Sequence, residues 1–240
     1  MTLAAQNLSL AGRVEGVSCT LEKGGITAIC GPNGAGKSSL LQVLAGLLDA
    51  DAGQVSLDGE NLASLDSRAK RLGYLPQAPE IAWDVTVRSV VELGRIPHRD
   101  AAAAPVESAI AAMDLAGYEN RRAQALSGGE QARVLLARVL AGEPEWILAD
   151  EPLAALDIGH QQTLVGHLKR EARAGSGVVL VLHDLAMAMN HADRVLVLDG
   201  GRLVADAAPS EALSNKRIAE VWGVATRWLG EEGARALAPA

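Results

Sequence analysis

Residues Gly31 to Ser39 read GPNGAGKSS, and no other stretch restricts the fold so much. Glycines at 31, 34 and 36 prevent the chain from continuing either a strand or a helix there, because Gly is the residue that enters backbone conformations closed to others. Before them ITAIC (26–30) is a short apolar run, and after them SSLLQVLAGLL has the spacing of one helix face. The segment therefore predicts strand, loop and helix, and it matches G-x-x-x-x-G-K-[ST] in the context that motif requires. In such a loop the N–H groups of Gly31, Asn33, Gly34, Ala35 and Gly36 surround a phosphate group, while Pro32, which has no N–H, contributes to the shape of the loop. Lys37 reaches the outer phosphates, and the hydroxyls of Ser38 and Ser39 follow, Ser38 suited to Mg2+.

Three more apolar runs, EWILAD (145–150), GVVLVLH (177–183) and RVLVLDG (194–200), alternate with helical segments. That alternation predicts an α/β domain with a largely parallel sheet. The first third differs, since TLAAQNLSL, RVEGVSCTLEKGG and GQVSLDG alternate between turns and read as antiparallel strands. Between about Ala78 and Ala141 the strand signals stop; Pro79, Pro97 and Pro105 punctuate helical segments such as VRSVVELG and VESAIAAMDLAG, which predicts a helical insertion. The chain of 240 residues, 49% hydrophobic and 21% charged, can bury a large core. Its net charge of −7 offers no basic stripe for a nucleic-acid backbone. AKR (69–71) and NRR (120–122), the only locally basic spots, read as solvated loops. No apolar run approaches the roughly 20 residues of a membrane span, and the first residues carry no secretory pattern. Cys19 and Cys30 lack a paired framework or metal-ligand spacing and are expected as reduced thiols.

WILADE ends an apolar strand in two carboxylates: Asp150 can serve Mg2+, and Glu151 can orient and deprotonate a water that attacks a terminal phosphate. Gln77 in GYLPQ, Asp157 in AALD and His183 in VLVLHD stand at strand or loop ends. His98, His160, His167 and His191 are read as surface residues. LSGGEQ (126–131) opens a helix with a capping box, Ser127 as N-cap and Glu130 three positions on. Its glycines, Gly128 and Gly129, need a reason, because Gly in a helix costs about 1 kcal/mol relative to Ala. An anion close to the free N–H groups would supply one.

With these residues in place, the chain to about residue 225 resembles the ATPase subunits of ABC transporters. GPNGAGKSS corresponds to Walker A, YLPQ to the Q-loop, LSGGEQ to the signature, WILADE to Walker B, ALD to the D-loop and His183 to the switch histidine. The resemblance implies a P-loop NTPase with a RecA-like core and antiparallel β-subdomain (1–77 and 145–225), an inserted α-helical subdomain (78–144) and a C-terminal tail (226–240). It implies ATP and Mg2+ as ligands, with Lys37 and the Walker A amides on phosphates and Ser38, Gln77 and Asp150 serving Mg2+. Glu151 would be the general base, His183 would contact the γ-phosphate, and Asp157 would couple two sites. Ser127 and the backbone of Gly128 and Gly129 would face an ATP held by a second copy in a head-to-tail dimer. The aromatic residue that stacks on adenine in this family is missing from NLSLAGRVEGVS. Arg13 could stack its guanidinium on the base, or adenine is held weakly; comparable ATP and GTP affinities are expected.

DVTVRSVVELGRIPHR and LADEPLAALDIGHQ are similar to segments of the ATPases that serve iron-siderophore, haem and cobalamin importers. In that family the helical subdomain receives the transmembrane permease, the cargo arrives through a periplasmic or extracellular binding protein, and the ATPase lies on the cytoplasmic face of the membrane. Two other readings compete: an ATPase of the iron–sulfur cluster assembly type, and a nucleotide-dependent binding module with little turnover. SNKRIAEVWGVATRWLG resembles the helix and strand that follow the switch region, with Trp222 and Trp228 as docking or core residues; EEGARALAPA is expected to fray.

Overall fold

The computed structural model describes residues 1–77, 81, 84–154 and 156–240. The expectations that fall on Ala78, Pro79 and Ala155 lie outside them. Strands β1 (Thr2–Leu10) and β2 (Val14–Glu22) pair antiparallel, with Leu3, Ala5 and Leu8 facing the core opposite Val17, Cys19 and Leu21. Burial pushes the Cys19 thiol up to about 11 and the Cys30 thiol up to about 12, so both are inert core groups. Next come β3 (Ile26–Cys30), buried throughout, and α1 (Lys37–Leu44). The helical spacing of SSLLQVLAGLL overshoots: α1 stops at Leu44, ahead of Gly46 with φ +67°.

β4 (Ala52–Leu57) and β5 (Glu60–Asn61) complete an antiparallel sheet in the order β2-β1-β4-β5. AKR is not a solvated loop. It lies in the short helix α2 (Arg68–Arg71), and Arg71 is paired with Asp58 and, at 2.7 Å, with Glu145. The Arg71 guanidinium, with Lys23 beside it, holds the Glu145 carboxyl down at about 2, which ties the antiparallel sheet to the strand that follows Glu145.

β6 (Leu72–Leu75) leads to α3 (Val87–Glu92), α4 (Ala103–Ala112) and α5 (Gly128–Ala141), packed on one another through Val90, Val91, Val106, Ile110, Val134 and Leu135. A 3-10 turn, Leu93–His98, follows α3. Its LGRIPH sequence has an internal purpose. Buried Arg95 donates to the Ala141 carbonyl at 2.9 Å, and the His98 ring lies 2.9 Å from the Gly142 carbonyl, so both satisfy the carbonyl end of α5.

The chain continues through β7 (Trp146–Asp150), α6 (Ile158–Arg173), β8 (Gly177–Val181), α7 (Leu185–His191), β9 (Arg194–Asp199), β10 (Arg202–Ala207), α8 (Pro209–Ala212), α9 (Asn215–Trp222), β11 (Thr226–Leu229) and β12 (Ala236–Pro239). The large sheet runs β10-β9-β3-β8-β7-β6, parallel except for β10. Its crossovers place the loops after β3, β6, β7 and β8 at one edge, where open α/β sheets bind ligands. β3 is buried on both faces. Ala28 and Cys30 pack toward the α5–α7 side, and Ile29 packs toward α1 and the antiparallel sheet.

Two further expectations are corrected. His167 is 1% exposed, seated in the apolar stripe of α6 with Leu164 and Leu168, and burial lowers its pKa below the ordinary histidine range. The C-terminal segment does not fray. β12 pairs with β11, and the Asn190 side chain clamps the Arg235 backbone through bonds of 2.7 and 2.8 Å. Trp228 donates to the Leu213 carbonyl at 2.8 Å, and it packs with Trp222 against the core. Among the described residues no helix is long and apolar enough to cross a membrane.

Candidate active site

The loop after β3 is shaped by what its glycines leave out. A Cβ on Gly31 would lie 2.2 Å from the Leu198 carbonyl oxygen, and one on Gly36 would lie 2.0 Å from the Arg13 carbonyl oxygen. Both glycines also have positive φ, +152° and +93°. Helix α1 starts from Gly36 with no side-chain cap, so its first N–H groups are left for an external acceptor. Lys37, 5% exposed, donates to the carbonyls of Gly31 and Pro32, each at 2.9 Å. Burial lowers its pKa, while Glu151 and Asp150 act in the opposite direction.

Ser38 donates to the Asp150 carboxylate at 3.0 Å. Asp150 is 2% exposed; burial raises its carboxyl above the ordinary range, and the charge of Glu151 adds to this against the Ser38 hydrogen bond and Lys37. A buried carboxylate of this kind beside a hydroxyl is a hard-cation donor set and fits Mg2+. Among the described residues no group of three or more His, Cys, Asp or Glu side chains could hold a metal by itself, so such a cation needs further oxygens from phosphate or water.

Glu151 has φ +50°, a left-handed backbone unusual for a residue with a side chain. Its carboxylate lies 2.5 Å from His183 Nε2, so the ends of β7 and β8 present an acid and an imidazole as one unit. Asn33, Gly34, Gly36, Lys37, Ser38, Ser39, Gln77, Glu151 and His183 line one cleft of about 640 Å³, which Gly12 and Arg13 close on the side of the β1–β2 turn. Sequence reasoning missed Gly12 and gave no sign of the left-handed Glu151.

Ser127, Gly128, Gly129 and Asp157 do not line that cleft. Ser127 caps α5 as the sequence predicts: its N–H donates to Glu130 at 2.8 Å and its hydroxyl at 2.9 Å. The two glycines have different reasons. A Cβ on Gly129 would fall 2.2 Å from the His160 ring, whereas one on Gly128 would meet nothing within 4 Å. Asp157 caps α6, accepting from the His160 N–H at 2.9 Å.

Comparison with known proteins points in one direction. Residues 14–154 match the family model described as ABC transporter. Relatives named hemin import ATP-binding protein HmuV occur in Rhodococcus jostii (strain RHA1), 41% identical over 93% of this chain and 80% of that protein, and in Rhizobium meliloti (strain 1021), 40% identical over 92% and 90%. Another, from Myxococcus xanthus (strain DK1622), is 41% identical over 92% and 90%. Among solved structures, a transporter chain described as of metal-chelate type, inward-facing, superposes with TM-score 0.86 at 23% identity, covering 100% of this chain and 97% of that one. A nucleotide-free ATP-binding cassette gives 0.83 at 24% identity, covering 96% and 100%. These two likenesses bear on the fold alone.

Proposed function

Because the chain belongs to the ABC transporter family, as its ATP-hydrolysing subunit, we propose that it drives import of a metal chelate, haem first among the candidates, and does so as a head-to-tail pair of copies. The family works with transmembrane permease subunits, so the chain is one part of a membrane transporter complex. The observation that carries the catalytic reading is the single cleft in which Lys37, Ser38, Gln77, Glu151 and His183 converge beside an uncapped helix start. The named relatives, alike over about nine-tenths of the chain, favour importer over iron–sulfur assembly ATPase.

On this reading Lys37 leaves the carbonyls of Gly31 and Pro32 to meet the outer phosphates of ATP, and the loop amides with the start of α1 hold the rest of the chain of phosphates. Ser38, Asp150 and Gln77 would hold Mg2+, which supplies neutralising charge on the phosphate oxygens. Glu151 takes the proton of the attacking water, and His183, already bonded to it, fixes the carboxylate and reaches the terminal phosphate. Ser127 with the amides of Gly128 and Gly129 from the second copy would close the far side of the nucleotide and exclude water. The helical subdomain would face the permease on the cytoplasmic side of the membrane, and a binding protein outside would deliver cargo.

The test is reconstitution with the permease that copurifies with the chain. Haem-loaded binding protein should raise ATP turnover more than ferric siderophore or cobalamin forms do, and Glu151→Gln should abolish turnover while leaving ATP bound. Stimulation by a siderophore alone would replace haem as cargo. Equal turnover in wild type and Glu151→Gln would discard the catalytic assignment.

A further inference from the structure

One turn of α6 touches two elements that the nucleotide cycle uses at different places. Asp157 Oδ1 accepts from the His160 N–H and lies 2.8 Å from His160 Nδ1, which fixes the imidazole on the first turn of α6. The ring then fills the space where Gly129 lacks a side chain, so the second residue of α5 rests directly on it. The next residue, Gln161, donates to the Leu153 carbonyl at 3.2 Å, in the loop that carries Glu151. The loop of the proposed base and the tip of α5 are thus held by adjacent residues of one helical turn. Gly128, with open space beside it, stays free on the outer side of the same tip.

We propose that His160 is a positioning residue of the hydrolytic cycle. It sets the tip of α5 against the loop of Glu151, so that displacement of one is passed to the other inside a single chain. His160 does not line the cleft of Lys37 and Glu151; it acts through Gly129 and Asp157. Gly129 is buried and the half-exposed ring lies so close to it that not even a methyl group fits between them, and a contact without slack transmits displacement instead of absorbing it. The inference rests on the proposed pairing of copies, in which the tip of α5 serves the ATP of the second copy.

The experiment is a double-mutant cycle on the full chain with His160→Ala, Gly129→Ala and both together, read by ATP affinity, KM and kcat. His160→Ala should leave ATP affinity and KM unchanged, because the cleft is untouched, and lower kcat about tenfold, a coupling within the usual range for touching residues. His160→Phe, which keeps a ring against Gly129 but loses the ring's bond to Asp157, should recover part of that loss. Gly129→Ala should be worse than either, and adding His160→Ala should bring kcat back to the level of His160→Ala alone, since the clash is then gone. The thermal midpoint should follow the same order: lowered by Gly129→Ala next to His160 and not in the His160→Ala background. An unchanged kcat in His160→Ala, or equal harm from Gly129→Ala in both backgrounds, overturns the proposal. Glu151→Gln serves as the reference. If it is inactive while His160→Ala is normal, only this inference fails; if it matches wild type, the reading of the site itself fails.

Discussion

The helix starts of α1 and α5 both carry glycines, yet they are finished in different ways. At α1 the glycines are required by the chain's own carbonyls, no side chain caps the first turn, and a buried lysine bonds to its own loop. At α5 the cap is complete, the serine hydroxyl and amide both go to Glu130, and a side chain added at one of the two glycines would touch nothing. A helix start left open inside a cleft is built to receive an anion bound in that chain's own cleft. A start already closed by its own serine and glutamate, with bare space over Gly128, accepts an anion only by exchanging partners, and that is suited to a group brought by another molecule.

The sharpest way to break this contrast is to disable each helix start separately. Lys37→Ala should weaken ATP binding by a single chain by about a hundredfold or more, because a charged hydrogen-bond donor to phosphate is lost. Gly128→Glu should leave that binding intact and still reduce turnover by about a hundredfold, since a carboxylate would stand where a phosphate must approach. Fluorescent-nucleotide titration alongside phosphate release reads both. Loss of single-chain binding in Gly128→Glu would place the tip of α5 in the chain's own cleft and erase the distinction.

A gentler change at the same position separates stability from activity. Gly128→Ala has room for its methyl group and gains about 1 kcal/mol of helix propensity. Calorimetry should show the midpoint rising by about 2–4 °C. Turnover should nevertheless fall, by about tenfold, if the amide of Gly128 has to come close to a phosphate. A more stable chain with undiminished turnover would mean that nothing approaches this tip.

Acid distinguishes the two starts as well. Burial raises the Asp150 carboxyl, and the bonds from Ser127 lower that of Glu130. A raised folded pKa means that the protonated form favours the fold, a contribution fully present below the unfolded value and lost as pH rises through the folded one. At neutral pH ionised Asp150 therefore destabilises the empty protein, and Asp150→Asn should raise its thermal midpoint while abolishing Mg2+-dependent turnover. Glu130 is the reverse: its contribution is present above the unfolded value and disappears as pH falls through the lowered folded one. Acidification should weaken the Mg2+-nucleotide complex before it loosens the cap of α5, as titration followed by nucleotide fluorescence and by helix content would show.

The α1 start was legible because its glycines, lysine and serine sit together in sequence, and the local pattern is itself the site. At α5 the sequence displayed the cap but could not tell Gly128 from Gly129, because the difference lies in a ring on α6. The buried His167 had a readable signal, standing among Leu164, Val165 and Leu168 on the apolar stripe of α6. β6, four residues including a glycine, and β10, a partly exposed edge, carried too little alternation to be recognised. The last hairpin depends on Asn190, far away in sequence, for its anchorage. Nothing local announces the left-handed Glu151, whose backbone is fixed by the ends of two strands.

The smallest effect concerns the far end of the α1 cleft. Arg13 sits on the β1–β2 turn, its carbonyl pressed against Gly36, and among the described residues its guanidinium has no hydrogen-bond or ion-pair partner. Among the described residues no aromatic side chain lines the cleft. A nucleotide whose phosphates occupy the loop must lead its base out past this turn, where a planar cation can stack on a purine without reading its edge. ATP and GTP should then bind within about threefold of each other, which is less than the discrimination that one good hydrogen bond gives. Arg13→Ala should weaken both by about fivefold and leave inorganic tripolyphosphate unaffected, the sum of one lost stacking contact and nothing at the phosphates. If tripolyphosphate weakens equally, Arg13 belongs to the phosphate cradle; if ATP binds far more tightly than GTP, a base-reading group lies elsewhere on the turn. In the first case the α1 end reads phosphates alone; in the second it recognises more of its ligand than its phosphates, and the division of labour between the two helix starts would have to be redrawn around the base.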